Sequence, residues 1–161
     1  MMPDSPVYVL VVEDDFLSRL HAVNLVEDAG YIAVEASNAD EAITILEAHK
    51  DIRIVFTDID MPGSMDGLKL AHAIRERWPP IELILTSGHF DLSDDEIPEH
   101  GRFFPKPYRD QEIISALQHF VAQTESRYGT PPPVSERESL VPQNETPPLS
   151  RGRRVLKPEL S

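Results

Sequence analysis

The sequence predicts an α/β fold in which helices cover both faces of a doubly wound parallel sheet. Short apolar segments typical of strands alternate along the chain with segments of helical periodicity. The first strand-like segment is continuously apolar, as expected of a strand that is covered on both faces. With 161 residues and 40% hydrophobic content, the chain can build one domain with a real core.

The first half of the chain supplies three predicted strands, at residues 7–12, 32–36 and 52–57. The helix between the first two strands is predicted from apolar residues that recur at three-to-four spacing: Phe16, Leu20, Val23 and Val26. Asn38 is placed to cap the second helix, and Glu41 to reach back to that cap.

The second half continues the alternation less regularly. Helix 67–77 and strand 81–87 are followed by an acidic stretch, 92–99, that a proline interrupts. A fourth helix in this stretch is therefore predicted to be short or irregular. Residues 102–105 are the last predicted strand, and residues 108–123 the last predicted helix.

The composition changes at about residue 126. Residues 126–161 contain seven of the fifteen prolines and too few large apolar side chains to form a core. We therefore predict a folded domain over residues 1–125 and a disordered, Pro-rich tail over residues 126–161. A small basic cluster at residues 151–154 is interpreted as part of a solvated tail rather than as a docking motif.

The formal charge of −13 is unevenly distributed. The tail carries six Lys/Arg and four Asp/Glu, which leaves −15 on residues 1–125, and a domain this acidic should repel a nucleic-acid backbone. The lack of cysteine excludes disulfides and thiolate chemistry and suits a reducing compartment. No secretory leader or membrane-spanning run is recognisable in the sequence, so a cytoplasmic protein without membrane contact is expected.

Polar residues follow four predicted strands at their carboxyl ends, which is the edge of an open parallel sheet where ligands collect. The residues at this edge, in strand order, are Glu13, Asp14 and Asp15 after the first strand, Asp58 and Asp60 after the third, Thr86 and Ser87 at the fourth, and Lys106 after the fifth. If strands one and three are neighbours, the carboxylates of Glu13, Asp14 and Asp58 converge and repel one another unless a cation joins them. Because Mg²⁺ prefers carboxylate, water and phosphate oxygens, a magnesium site is predicted here.

In this order and spacing, the polar residues resemble the receiver domain of two-component response regulators. The resemblance covers roughly residues 7–123. It is carried by four motifs: Val11-Val12-Glu13-Asp14-Asp15, Asp58 with Met61-Pro62 and Asp66-Gly67, Thr86-Ser87-Gly88, and Lys106-Pro107-Tyr108. Each motif alone is weak, whereas the set is specific. The resemblance implies a flavodoxin-like, five-stranded sheet with strand order 2-1-3-4-5.

The resemblance also implies a phosphoryl-transfer function. Asp58 would accept a phosphoryl group from a phosphohistidine on a histidine kinase or a histidine phosphotransfer protein, which would give an aspartyl phosphate. Mg²⁺ would be held by Asp14 and Asp58 directly, by the backbone carbonyl of Asp60, and by Glu13 through water.

The remaining motif residues would contact the phosphoryl group or relay its presence. Lys106 and Thr86 would contact phosphoryl oxygens, and Pro107 resembles the cis proline that aims the lysine inward. On phosphorylation, Thr86 would move inward and Phe103 would follow, which changes the surface. The protein would catalyse only its own phosphorylation and dephosphorylation. It would act as a stand-alone switch or relay on an unidentified protein target, with the oligomeric state open between monomer and homodimer.

Simpler structural roles compete with these assignments. Acidic residues after the first strand could only cap the following helix, as Asp15 is expected to do. Asp66 and Gly67 are interpreted as turn and helix-entry residues. Phe103 is expected to face the core, which does not exclude a switch role. The six histidines show no ligand-like grouping and are assigned no function.

The sequence departs from the family pattern at three places, and one alternative function stays open. The loop after Pro62 is one residue longer than the commonest form, the fourth helix is eroded, and no folded effector domain follows, so direct DNA binding is not expected. The alternative is a haloacid dehalogenase-like phosphatase, because Asp58-Ile59-Asp60 offers a nucleophile and a second acid two residues later. Such enzymes place this pair on the first strand and turn over many substrate molecules.

Overall fold

The computed structural model describes residues 6–63, 65–89 and 92–128. Over these ranges it contains five strands, four α-helices and one 3-10 turn. The elements in chain order are β1 (Tyr8–Val12), α1 (Phe16–Asp28), β2 (Ile32–Ala36), α2 (Ala39–Ala48), β3 (Ile52–Asp58), α3 (Gly67–Arg77), β4 (Glu82–Ser87), the 3-10 turn (Asp94–Glu96), β5 (Gly101–Pro105) and α4 (Asp110–Tyr128).

The observed elements confirm the predicted order and type of every strand and helix. The predicted short or irregular fourth helix is the single 3-10 turn, in which three consecutive acidic residues follow Ser93. The largest difference in length is at α4, which begins at Asp110 and runs to Tyr128 rather than ending at residue 123. Among the described residues, no helix combines the length and the apolar character that crossing a membrane requires.

The chain divides into two units, with the boundary after Phe120. The first unit holds the sheet, α1 to α3 and the residues of the candidate site. Of the second unit, the structure describes residues 121–128, which are helical. The basic cluster and the rest of the predicted tail lie outside the described residues from 129 onward, so the disordered tail and its boundary stay predictions.

All five strands are parallel, and their order is β2-β1-β3-β4-β5, which confirms the predicted topology. β1 and β3 are therefore neighbours, with Val12 opposite Thr57. Asp58, at the end of β3, lies opposite Thr86 of β4. Because the winding direction reverses between β1 and β3, a crevice opens at their carboxyl ends.

The core lies on both faces of the sheet because strand side chains alternate between the faces. One face holds a buried cluster to which β1, β3 and β4 contribute together with α2 and α3. Its largest fully buried members are Leu10, Leu46, Leu70, Ile74, Leu83 and Leu85. Val9 and Val11 are buried on the opposite face, and α1 and α4 contribute their own buried residues there.

The four apolar residues from which α1 was predicted are not all buried. Phe16 and Leu20 are 63% and 46% exposed, whereas Val23 and Val26 are buried. The buried residues of α1 all lie in its second half. The apolar spacing therefore indicates the helix correctly, but only the second half of the helix is buried.

Side-chain caps begin three of the helices. Asp15 accepts from the Ser18 amide at 2.9 Å, and Asp66 accepts from the Lys69 amide at 2.9 Å, which confirms the capping roles of both aspartates. Asn38 caps α2 as predicted by accepting from the Glu41 amide at 2.8 Å. The Glu41 carboxylate, however, accepts from the amide of Ser37 rather than from that of Asn38.

Candidate functional site

Three carboxylates converge at the carboxyl ends of β1 and β3. Glu13, Asp14 and Asp58 each offer an oxygen, and these oxygens all lie within 4.8 Å of one another. Glu13 and Asp58 are buried, whereas Asp14 is exposed. The strand order produces this meeting, because it places residues that are far apart in the chain at adjacent strand ends. The predicted acidic pocket is therefore present.

Lys106 completes the pocket from the end of β5. Its Nζ donates to Asp58 Oδ2 at 3.2 Å and lies 3.6 Å from Glu13 Oε1. Burial alone would lower the pKa of Lys106, but the charges of Glu13 and Asp58 outweigh burial and raise it. The lysine is therefore held as a cation and points into the pocket.

Backbone contacts fix the position of Asp58. Its Oδ1 accepts from the amide of Asp60 at 3.1 Å, and the amide of Ile59 donates to the Thr86 carbonyl at 2.8 Å. At the start of α3, Gly67 donates its amide to the Ile59 carbonyl at 3.1 Å. A Cβ at position 67 would lie 2.7 Å from Ile59 Cα and would also meet the Asp58 carbonyl oxygen, so only glycine allows this approach.

The pocket has an electrostatic imbalance that a cation would correct. Burial, followed by the charge of Asp58, raises the pKa of Glu13 to about 7. Three carboxyl groups lie close together, and one of them, Glu13, keeps its proton to an unusually high pH. A hard divalent cation would relieve the repulsion among them because carboxylate oxygens are its preferred ligands. The donor set therefore fits Mg²⁺, with oxygens from Asp14 and Asp58 and with Glu13 beside them.

The side chain of Asp60 points away from this pocket. Its carboxylate accepts from Ser87 Oγ at 2.9 Å and from the Gly88 amide at 3.0 Å, and it lies 3.1 Å from His89 Nδ1. Burial raises the pKa of Asp60, but the bonds from His89, Gly88 and Ser87 outweigh it and lower the pKa. The Asp60 side chain therefore connects the end of β3 to the end of β4. This does not affect its predicted metal contact, which involves only the backbone carbonyl of Asp60.

From the sequence, Ser87 and Asp60 are expected at this sheet edge, but no contact between them is predicted and His89 is assigned no function. The available signal for His89 was position, since it lies two residues after the end of β4, at the same sheet edge as Asp60. The pairing itself depends on three-dimensional distances that residue spacing does not give.

The predicted switch residues occupy consistent places. Thr86 is buried at the end of β4, directly opposite Asp58. Phe103 is half-buried and packs against the core cluster, so its predicted core-facing position is confirmed. The Lys106–Pro107 peptide bond is cis, as the resemblance implied. The movement of Thr86 and Phe103 on phosphorylation stays a prediction.

The fold and the pocket define a class of protein, namely doubly wound α/β domains with a carboxylate cluster at the switch point of the sheet. A family model described as the response regulator receiver domain matches residues 9–118. The chain belongs to this family, which acts in two-component signalling.

Relatives with known names support this membership. The chain is 31% identical over 117 residues to the sensor kinase CckA of Brucella abortus, covering 70% of this chain and 12% of that protein. It is 31% identical over 127 residues to the DNA-binding transcriptional regulator NtrC of Salmonella typhimurium, covering 74% of this chain and 26% of that protein. The chain thus spans about a quarter or less of these two relatives.

Solved structures give the same result for the fold. A response regulator receiver protein from Sinorhizobium medicae superposes with a TM-score of 0.69 at 26% identity, covering 74% of this chain and 98% of that chain. A receiver domain protein from Clostridium thermocellum, at 24% identity, gives a TM-score of 0.68 and covers 75% and 98% of the two chains. Asp58 ends the third strand rather than the first, so the structure does not favour the haloacid dehalogenase alternative.

Proposed function

We propose that this protein is a phosphoacceptor receiver that takes a phosphoryl group onto Asp58 from a histidine kinase or a histidine phosphotransfer protein, with Mg²⁺ as cofactor. The observation that carries the proposal is the position of Asp58. It is buried at the end of β3, within 4.8 Å of two other carboxylates and 3.2 Å from the ammonium group of Lys106.

The transfer would form a bond between an Asp58 carboxylate oxygen and phosphorus. The phosphorus–nitrogen bond of the donor phosphohistidine would break, and the imidazole nitrogen would leave with the electron pair. When bound, Mg²⁺ supplies positive charge that offsets the negative charges of the carboxylates and the phosphoryl oxygens. Asp14 and Asp58 would hold it directly, with the backbone carbonyl of Asp60, and with Glu13 through water.

The chain's own residues would orient the reactive group. The Asp60 amide donates to Oδ1 of Asp58, and the Lys106 ammonium group donates to Oδ2. After transfer, the same ammonium group would contact an oxygen of the phosphoryl group. The Thr86 hydroxyl would donate to another phosphoryl oxygen, since Thr86 lies opposite Asp58 in the sheet. Positioning and charge of this kind supply most of the acceleration in phosphoryl transfer.

A surface beside the pocket supports a protein as the phosphodonor. Phe16 and Leu17, in the first turn of α1, are 63% and 71% exposed and follow directly after Asp14 and Asp15. Large exposed apolar side chains that lie together mark contact surfaces for other proteins. A phosphohistidine protein that approaches Asp58 over this edge would cover them.

The output follows from the same geometry. Phosphorylated Asp58 would draw Thr86 inward, and Phe103 would follow into the space, so that a local charge changes the surface near β4 and β5. We propose a cytoplasmic switch or relay that acts on a protein target and performs no reaction other than on itself. Direct DNA binding is not part of this proposal.

Intact-mass measurement after incubation with phosphoramidate and Mg²⁺ tests the proposal. Wild type should gain one phosphoryl group, and Asp58→Asn should gain none. Asp66→Asn is the matched control, because asparagine can also cap α3 and Asp66 lies outside the pocket. Equal uptake by wild type and Asp58→Asn would contradict the assignment. Repeated hydrolysis of small phosphate esters would instead indicate a phosphatase.

A further inference from the structure

The segment that carries Lys106 is held from the side by α1. Lys106 is fixed at its amide, which donates to the Ser87 carbonyl at 2.8 Å. Tyr108, two residues later, contacts two other rings. It stacks on His21 of α1 with ring centroids 6.0 Å apart and planes 12° apart, and its centroid lies 6.3 Å from that of Phe56 in β3. The segment is therefore held at Lys106 itself and again two residues later, at Tyr108.

His21 also bonds to the start of α4. Its Nε2 lies 2.9 Å from Asp110 Oδ1, which is the first residue of the helix. One side chain of α1 thus contacts both Tyr108 and Asp110, on either side of Arg109. Within the described residues, no other α1 side chain is recorded in a hydrogen bond or ring contact with the segment 106–110.

Tyr108 lies close enough to the pocket to feel its charges. Burial, followed by the charges of Glu13, Asp110 and Asp58, raises the pKa of Tyr108 to about 12. The ring therefore lies near the acidic pocket and on the chain that delivers Lys106. A shift of this ring would be transmitted over two residues to the lysine.

We propose that His21 is a positioning residue: by stacking on Tyr108 and bonding to Asp110, it holds the segment 106–110 so that Lys106 stays aimed at Asp58. This inference rests on the proposed phosphoacceptor function. Among the residues that the structure describes, His21 contacts Tyr108 and Asp110 and none of the pocket carboxylates, so its effect would pass through Lys106. Loss of the His21 contacts would leave the metal-binding carboxylates in place but would let Lys106 move away from Asp58.

The test is a double-mutant comparison of the initial rate of phosphoryl uptake from phosphoramidate with Mg²⁺, read by intact mass. His21→Ala should slow uptake about tenfold, because even a small displacement of the Lys106 ammonium group from Asp58 lowers the rate of phosphoryl transfer. In a Lys106→Ala background, the same change should have no further effect. His21→Phe, which keeps a ring on Tyr108 but loses the bond to Asp110, should slow uptake less than His21→Ala.

Two controls separate positioning from a general structural effect. His72→Ala removes an exposed histidine from α3 and should leave uptake unchanged. Mg²⁺ affinity, measured by calorimetry, should be the same in His21→Ala and wild type. An equal slowing by His21→Ala with and without Lys106 would overturn the proposal, as would a wild-type rate in His21→Ala. If Asp58→Asn gains no phosphoryl group while His21→Ala gains one at the wild-type rate, the positioning role of His21 is wrong and the phosphoacceptor function stands.

Discussion

Lys106 and Asp58 are separated by 48 positions in the sequence, yet Lys106 Nζ donates to Asp58 Oδ2 at 3.2 Å. This bond joins the end of β5 to the end of β3 across β4. The lysine also lies 3.6 Å from Glu13, so one cation faces two buried carboxylates. The relationship has direct consequences for phosphoryl uptake.

Lys106→Ala should slow phosphoryl uptake by Asp58 by a factor of about ten or more, because a preorganised cation at the reacting oxygens is lost. The measurement is the initial rate with phosphoramidate and Mg²⁺. Lys69→Ala is the control, since Lys69 is an exposed lysine of α3 outside the pocket. A wild-type rate in Lys106→Ala would show that this contact has no part in the transfer.

Glu13→Gln should stabilise the protein at alkaline pH when no divalent cation is added. The pKa of Glu13 is raised from 4.5 to about 7, so the unfolded chain loses this proton at lower pH than the folded chain. Ionisation of Glu13 therefore lowers the free energy of unfolding progressively as the pH rises from 4.5 to about 7, and the full destabilisation is present above that range. At about pH 8, we expect a melting temperature higher than that of wild type by about 5 °C.

The same variant tests whether the pocket binds a metal. Below pH 4.5 the two proteins should melt alike, because Glu13 is then protonated in both states. Added Mg²⁺ should raise the melting temperature of wild type more than that of Glu13→Gln, since binding to the native state stabilises it. Glu76→Gln, at an exposed site on α3, should behave as wild type. An identical response to Mg²⁺ in all three would argue against participation of Glu13.

Gly67→Ala should destabilise the domain by about 3 kcal/mol, because the added methyl group meets backbone atoms that cannot move aside easily. The nearest atoms include Ile59 Cα at 2.7 Å and the carbonyl oxygen of Asp58. Gly88→Ala is the matched control, where the closest atom lies at 3.9 Å. Urea denaturation compares the two, and a similar loss in both would rule out the close approach as the cause.

Leu17→Lys should weaken phosphorylation by a protein donor without changing phosphorylation by phosphoramidate. Leu17 is 71% exposed in the first turn of α1, next to the pocket, so the change removes apolar contact area rather than core packing. The protein donor for the assay is a phosphorylated histidine phosphotransfer protein. Ile32→Lys, at an exposed apolar site at the start of β2, is the control. Equal rates for Leu17→Lys and wild type with the protein donor would place the contact elsewhere.

The local structure of this protein could be predicted well from its sequence. Periodicity and capping residues gave the strands and helices, and Asp15, Asn38 and Asp66 cap the helices as expected. Spacing could not show that Phe16 and Leu20 are exposed, because it indicates that residues share a helix face but not which of them are covered.

The composition of the site was also largely determined by the sequence, whereas its contacts were decided by the tertiary structure. Glu13, Asp14, Asp58 and Lys106 could be expected at one edge because parallel strands end there. The bond from Ser87 to the Asp60 carboxylate and the ring stack of His21 on Tyr108 join segments that no local pattern relates. Strand and helix propensities act over neighbouring residues, while such contacts depend on the packing of distant segments in three dimensions.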